Sequence, residues 1–216
     1  MLGRLMMDFI ELEKKLEDFV VNKMNKDAAH DLAHIKRVLV TAKKMATELK
    51  ADLAVVIPAC WLHDCVNVDK STDQRSLGSK LSADAAIEFL AEINYDKKYY
   101  KAIYNAIHAH SFSANIKTKT LEAEIVQDAD RIDALGAIGI ARCLMYSASK
   151  GRQLYVIEDP FAKNRDLDDN SAAIDHFYTK LESIHKTMKT DLGKKIAKKR
   201  WKYMEGFINQ LNGEIK

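Results

Sequence analysis

The chain has 216 residues, 47% hydrophobic and 30% charged, with a net charge of +3. Its 8 Gly and 2 Pro stand against roughly 26 such residues at average usage, too few turn formers for a β-sandwich or barrel and too few glycines for Rossmann or P-loop phosphate turns. The small net charge does not imply a polyanionic partner, and Cys60, Cys65 and Cys143 form no disulfide framework, as in a reducing compartment.

The expectation is an all-α protein of about 8–10 helices in a single compact domain over 1–216. The first residues break their apolar run at Asp8 and Glu11, too early for a secretory segment. Apolar spacing predicts an opening helix over 4–24 and a second over 30–50, the latter with the stripe Leu32, Ile35, Val38, Leu39, Ala42, Met45, Ala46 and Leu49. Asp52 can cap a third helix, apolar nearly all round and running to about residue 65. Its Pro58 suits a first turn if the helix starts near 55. The run Leu53 to Leu62 is about half the ~20 residues of a membrane span, so the protein reads as soluble and cytoplasmic. Further helices are expected over 78–93, 97–110, from a Thr120 cap, over 130–149 as a continuation or restart, and over 170–188 and 191–211. The loops are then 66–77, 111–119 and 150–169, and the last is long enough for a lid or an excursion over a site.

The seven histidines concentrate in the first half of the chain, five of them by residue 110. His63 and Asp64 close an apolar helix, where an imidazole and a carboxylate are costly to bury unless both are satisfied. A divalent cation satisfies both, and a simple helix end, one group capping and one solvated, is the plain alternative. His34 lies beside the apolar stripe of the second helix and faces inward, as a core histidine also would. Asp128, Asp130 and Asp133 fall within an otherwise apolar segment, where Asp128 could cap a helix and Asp130 could pair with Arg131. Cys60 and Cys65 bracket His63, but no second cysteine pair completes a zinc set.

His34, the His63-Asp64 pair and Asp130 together resemble the HD superfamily of metal-dependent phosphohydrolases, whose signature is H…HD…D. His34 to Val38 has the form H..RV, Leu62 to Cys65 closes the second motif, and Ala129 to Asp133 resembles the last. A narrower resemblance is to the small stand-alone bacterial branch. It rests on LHD.VN..K....R...S..SA..A from Leu62 to Ala86, HSFSA from His110, VQDADRIDALGAIGIAR from Val126 and DPFA..R.LDD from Asp159. The likeness spans about residues 25–215, with core motifs over 30–142 and the C-terminal helices of 170–213 packed on them.

The resemblance implies one divalent metal ion (Mn, Mg, Co, Ni, Fe or Zn) held by His34, His63, Asp64 and Asp130. Mixed imidazole and carboxylate donors suit such ions, which polarise phosphorus and generate hydroxide near neutral pH. His63 and Asp64 therefore count as catalytic as well as ligating. Lys70 and Arg75 read as phosphate clamps, against exposed loop charges. Ser79 and Ser82 follow at a helix start, itself an anion site. His110 and Arg131 read as substrate-binding, and Asp133, one helical turn from Asp130, as a catalytic group orienting water or a ligand histidine. A second metal near His108 and His110 stays open, as does Asp128 as the last ligand.

The expected activity is hydrolysis of a nucleotide, first a nucleoside or deoxynucleoside triphosphate to monophosphate and pyrophosphate by hydroxide attack on phosphorus. The alternatives are a nucleoside 5′-monophosphate phosphatase and a non-catalytic nucleotide-binding regulator. Cyclic dinucleotide and alarmone cleavage are disfavoured, since the Gly-Tyr-Pro extension is absent and ADRIDA stands where ADRLHN is required. The basic stripe over 194–202 reads as a solvated face before a nucleic-acid surface. A membrane partner is not expected, and a homodimer is left open.

Overall fold

In the computed structural model, which describes residues 2–23, 32–66, 77–112 and 114–215, regular structure is helical apart from one isolated β-bridge. The all-α expectation holds for these residues. The chain contacts divide into two units, 1–129 and 130–216.

In the first unit α1 (Leu2–Lys23), α2 (Leu32–Leu49), α4 (Gly78–Glu92) and α5 (Tyr100–His110) all pack against α3 (Leu53–Leu62). This accounts for the apolar periphery of α3, buried from Val55 through Leu62. Leu12, Leu16 and Val20 bury one face of α1, and Phe19 stacks on Phe89 of α4 with ring centroids 4.0 Å apart. On α2 the buried stripe runs His34, Ile35, Val38, Leu39, Ala42, Met45 and Ala46, so the histidine takes a core position. α6 (Leu121–Ile132) is capped by Thr120, whose hydroxyl accepts from Ala123 N at 3.2 Å. Its first-turn Glu122 accepts from Asp52 N at 3.2 Å.

The start of α3 differs from the expectation near residue 55. Asp52 Oδ1 accepts from Ala54 N at 2.8 Å and the helix begins at Leu53, so Pro58 is interior. Proline has no N–H to give to the carbonyl four residues back. That carbonyl, Ala54 O, instead accepts from the Tyr95 hydroxyl at 2.7 Å.

The second unit contains α7 (Gly136–Ser149), a short α8 (Glu182–Ile184) and α9 (Asp191–Glu214). The segment after Asp130 restarts: α6 ends at Ile132, and α7 opens at Gly136 with φ +77. A Cβ on Gly139 would lie 2.3 Å from Ala134 O, so close packing explains that glycine. Arg200 of α9 donates to Ile132 O at 2.7 Å and so caps the end of α6.

The helix expected over 170–188 forms only from residue 175, as a continuous helical stretch to 187 with irregular turns inside it. Residues 177–181 make a π turn, followed by α8 and a 3-10 turn over 185–187. Upstream, side chains and a bridge take the backbone groups a helix would need. Asn170 N donates to Asp168 Oδ1 at 3.0 Å. Gln153 N donates to Ser171 O, and Ala173 N to Gln153 O, both at 2.9 Å. The long connection before it is held by Arg165, whose guanidinium makes a bidentate pair with buried Asp175 at 2.6 and 2.8 Å. The three cysteines are buried thiols outside any disulfide, and burial pushes those of Cys65 and Cys143 up, to about 12 and about 11. No described helix is long and apolar enough to cross a membrane.

Candidate metal centre

His63 and Asp64 form the turn that ends α3, and three other elements bring side chains to them. His63 Nδ1 lies 2.8 Å from Cys60 O, and His110 Nδ1, at the last residue of α5, lies 2.6 Å from Ile107 O. A carbonyl only accepts, so both Nδ1 atoms carry the proton and each neutral ring offers its Nε2 lone pair. Those Nε2 atoms flank one carboxylate: His63 Nε2 is 3.6 Å from Asp64 Oδ2, and His110 Nε2 is 3.3 Å from Asp64 Oδ1. Burial acts to raise the Asp64 carboxyl, but when the His63 and His110 rings carry a second proton, on Nε2, their charge outweighs it and holds the group well below the usual carboxylate range.

His34 joins from α2, with its ring centroid 5.4 Å from that of His63, and the His63 and His110 centroids are 4.9 Å apart. Asp130 opens the second unit in sequence but rides the unbroken helix α6 with Gln127 and Asp128. Two sets of donor atoms each lie within 4.8 Å of one another: His34, His63 and Asp130, and His63, Asp64 and His110. Lone pairs and carboxylates gathered in this way repel unless a proton or cation stands among them. Imidazole nitrogen with carboxylate oxygen is a donor set that Mn, Fe, Co, Ni, Zn and Mg accept, so these residues fit a divalent ion.

The sequence-predicted residues fare differently. His63 stands with His34 and Asp130 in one set and with Asp64 and His110 in the other, and Asp130, not the buried Asp128, supplies the carboxylate of the first set. Lys70 and Arg75 lie outside the described residues. Arg131 is buried and donates to Thr187 O at 3.1 Å, while Asp133 pairs with Arg142 at 2.8 Å. His108 stands against the Tyr104 ring with centroids 5.7 Å apart; burial and then Lys80 lower its pKa. Among the described residues it belongs to neither donor set, and no cysteine does.

Two contributions are not visible in the sequence alone. His110, expected at the substrate, sits on Asp64. Gln127, which the motifs do not single out, is buried and donates from Nε2 to Ala109 O at 2.6 Å, tying α6 to the end of α5 beside His110. The signal for Gln127 is its place three residues before Asp130, on the same helical face.

Comparison with known proteins agrees with this geometry. The HD domain family matches residues 31–135. The protein YpgQ of Bacillus subtilis (strain 168) is 31% identical over 195 residues, covering 88% of this chain and 87% of YpgQ. The crystal structure of Bacillus subtilis YpgQ in complex with ADP superimposes with a TM-score of 0.73 at 28% identity, covering 95% of each chain. An HD-superfamily hydrolase from Bacillus thuringiensis gives a TM-score of 0.73 at 31% identity, covering 94% of this chain and 96% of that one.

Proposed function

This chain belongs to the HD-domain family and is a metal-dependent phosphohydrolase, and we propose that its substrate is a nucleotide, cleaved as a nucleoside or deoxynucleoside triphosphate to monophosphate and pyrophosphate. The observation that carries the reading is Asp64 flanked by the Nε2 atoms of His63 and His110, beside the set His34, His63 and Asp130. The structure of YpgQ with ADP supports a nucleotide as ligand. We assign the ion to His34, His63, Asp64 and Asp130 within one HD-type domain over 1–216. When bound, a divalent ion there supplies Lewis acidity toward a phosphoryl oxygen and an activated water near neutral pH.

The chain's own groups do the rest. Cys60 O and Ile107 O fix the tautomers of His63 and His110, so neither ring turns its protonated face to the site. Asp64 stays ionised and accepts from any donor brought between the two rings. Lys70, Arg75 and Arg131 are assigned to the charge that builds on the phosphoryl oxygens, and Asp133, held by Arg142, to orientation of the nucleophile.

The test uses protein stripped of metal, resupplied with Mn, Mg, Co or Ni, and offered nucleoside mono-, di- and triphosphates, with products separated by ion exchange. Pyrophosphate release from triphosphates that is lost in His63→Ala and Asp64→Ala is the expected result. Turnover of monophosphates alone replaces the reading with a phosphatase. No turnover with any metal replaces it with a nucleotide-binding regulator.

A further inference from the structure

α5 packs mainly on α4 and α3, and its last residue is the His110 whose Nε2 meets Asp64. The chain leaves that helix at Ser111 with extended dihedrals, φ −61 and ψ 128, so no further turn supplies donors to its final carbonyls. Side chains do so instead. The His110 ring bonds Ile107 O through Nδ1 at 2.6 Å, and Gln127, reaching across from α6, donates from Nε2 to Ala109 O at 2.6 Å.

An amide is a costly side chain for this position. Gln127 is 1% exposed on a helix that also buries Ala123, Val126 and Ala129, and its Oε1 is buried with no hydrogen-bond partner among the described residues. That oxygen gives up hydration for nothing, as an apolar side chain would not. What the amide does supply is a donor in one fixed sense, because turning it over would set Oε1 against Ala109 O, acceptor against acceptor. Ala109 is itself buried, so water is a poor substitute. The place of the bond matters more than its strength. Ala109 O and the His110 N–H belong to one planar peptide unit, so holding that oxygen fixes the plane from which the His110 side chain departs.

We propose that Gln127 is a positioning residue of the metal centre: by holding Ala109 O it fixes the peptide that leads into His110 and so keeps the His110 Nε2 on Asp64. The ring is then set from two sides, its Nδ1 by Ile107 O and its backbone by Gln127. Neither contact touches the ion, and both act through the carboxylate that His110 orients. The inference rests on Asp64 being a metal ligand, as assigned above.

Calorimetric titration of Mn into the full chain stripped of metal, over a cycle of Gln127→Met, His110→Ala and the double variant, provides the test. Gln127→Met is expected to weaken Mn binding about threefold to tenfold, the low end of what a residue outside the ligand set governs. Once His110 is already Ala, the same change is expected to cost less than about twofold, because the group it positions is gone. Losses that add in the double variant, or an unchanged Mn affinity in Gln127→Met, overturn the proposal. Gln127→Ala repeats the cycle if Gln127→Met does not fold, and loss of fold in both makes the residue structural and overturns it too. A second measurement needs no ion. In the metal-free chain the His110 Nδ1 proton, sheltered by its bond to Ile107 O, is expected to exchange faster with water in Gln127→Met, while that of His63, bonded to Cys60 O, does not change. Equal rates in wild type and variant count against the positioning role. Absence of Mn binding to the wild-type chain would instead sink the metal assignment, with the exchange result still deciding what Gln127 does.

Discussion

Asp64 is the residue on which the centre turns, since it meets two imidazole nitrogens while the far side of each ring is bonded to a backbone carbonyl. A group that orients a metal-binding carboxylate typically governs about 10–100-fold of metal affinity. His110→Ala is therefore expected to weaken Mn binding by that factor, read by calorimetry on the purified chain, while His108→Ala leaves it within twofold. Equal losses in both variants would mean that the histidines at the end of α5 act only through the stability of that helix. The H…HD…D residues were legible because each sits at an interruption of apolar periodicity: His34 on a core stripe, His63 and Asp64 at the end of an apolar helix, and Asp130 amid buried neighbours. The role of His110 was not legible, because its contact with Asp64 joins positions 46 apart in the chain and depends on how α5 lies along α3.

At the level of elements, α3 shows how a local rule is kept by a distant residue. Pro58 removes the donor for Ala54 O, and the Tyr95 hydroxyl replaces it at 2.7 Å. Tyr95 is partly buried, and that burial raises its pKa above the usual tyrosine range, so the hydroxyl stays protonated as a donor at neutral pH. Tyr95→Phe is expected to cost about 1 kcal/mol. In a Pro58→Ala background the same change costs less, because the backbone N–H restored at position 58 can bond Ala54 O. Denaturant unfolding of the four-member cycle measures the difference, and strict additivity would show that Tyr95 contributes by packing alone. Helix boundaries elsewhere followed the apolar period closely. The start of the segment 170–188 did not, since it is helical only from residue 175, although Ala172, Ala173, Ile174, Phe177, Leu181, Ile184 and Met188 are all buried. Helical spacing of apolar residues reports which side chains face a core, and here Asp168, Asp169 and Gln153 capture the backbone and side-chain donors first. Sequence periodicity cannot register that competition.

Across the whole chain the two units are stabilised by different means, and pH separates them. The first is organised on the apolar helix α3. The second depends on carboxylates over 159–175 that cap backbone and side chains: Asp159 accepts from Lys163 N and Asn164 N at 3.0 and 2.6 Å, Asp168 N donates to Asp175 at 2.7 Å, and His176 donates from Nδ1 to Asp169 at 2.7 Å. Backbone hydrogen bonds hold the Asp159 carboxyl below its ordinary value, and Ser171 with Asn170 N does the same for Asp168. Burial lowers the His176 pKa, more than its bond to Asp169 raises it. The signs agree. A carboxyl lowered in the folded chain contributes stability above its unfolded pKa, near 4, and loses it as pH falls through the folded value. A histidine lowered in the folded chain takes up its proton more readily when unfolded, so stability also falls as pH drops below about 6.5. Acidification from pH 7.5 to 5.5 first draws on His176, together with His108 on α5, whose pKa burial also lowers, and further acidification draws on the aspartates. Hydrogen exchange followed over that range is expected to speed at the Ala173 and Ile174 amides, which bond Gln153 O and Leu154 O, before it speeds in α3. His176→Gln, which keeps a donor for Asp169 without a titrating ring, flattens the step that begins below about pH 6.5. Uniform acceleration in both units, or an unchanged step in His176→Gln, would place the acid-sensitive group elsewhere in the chain.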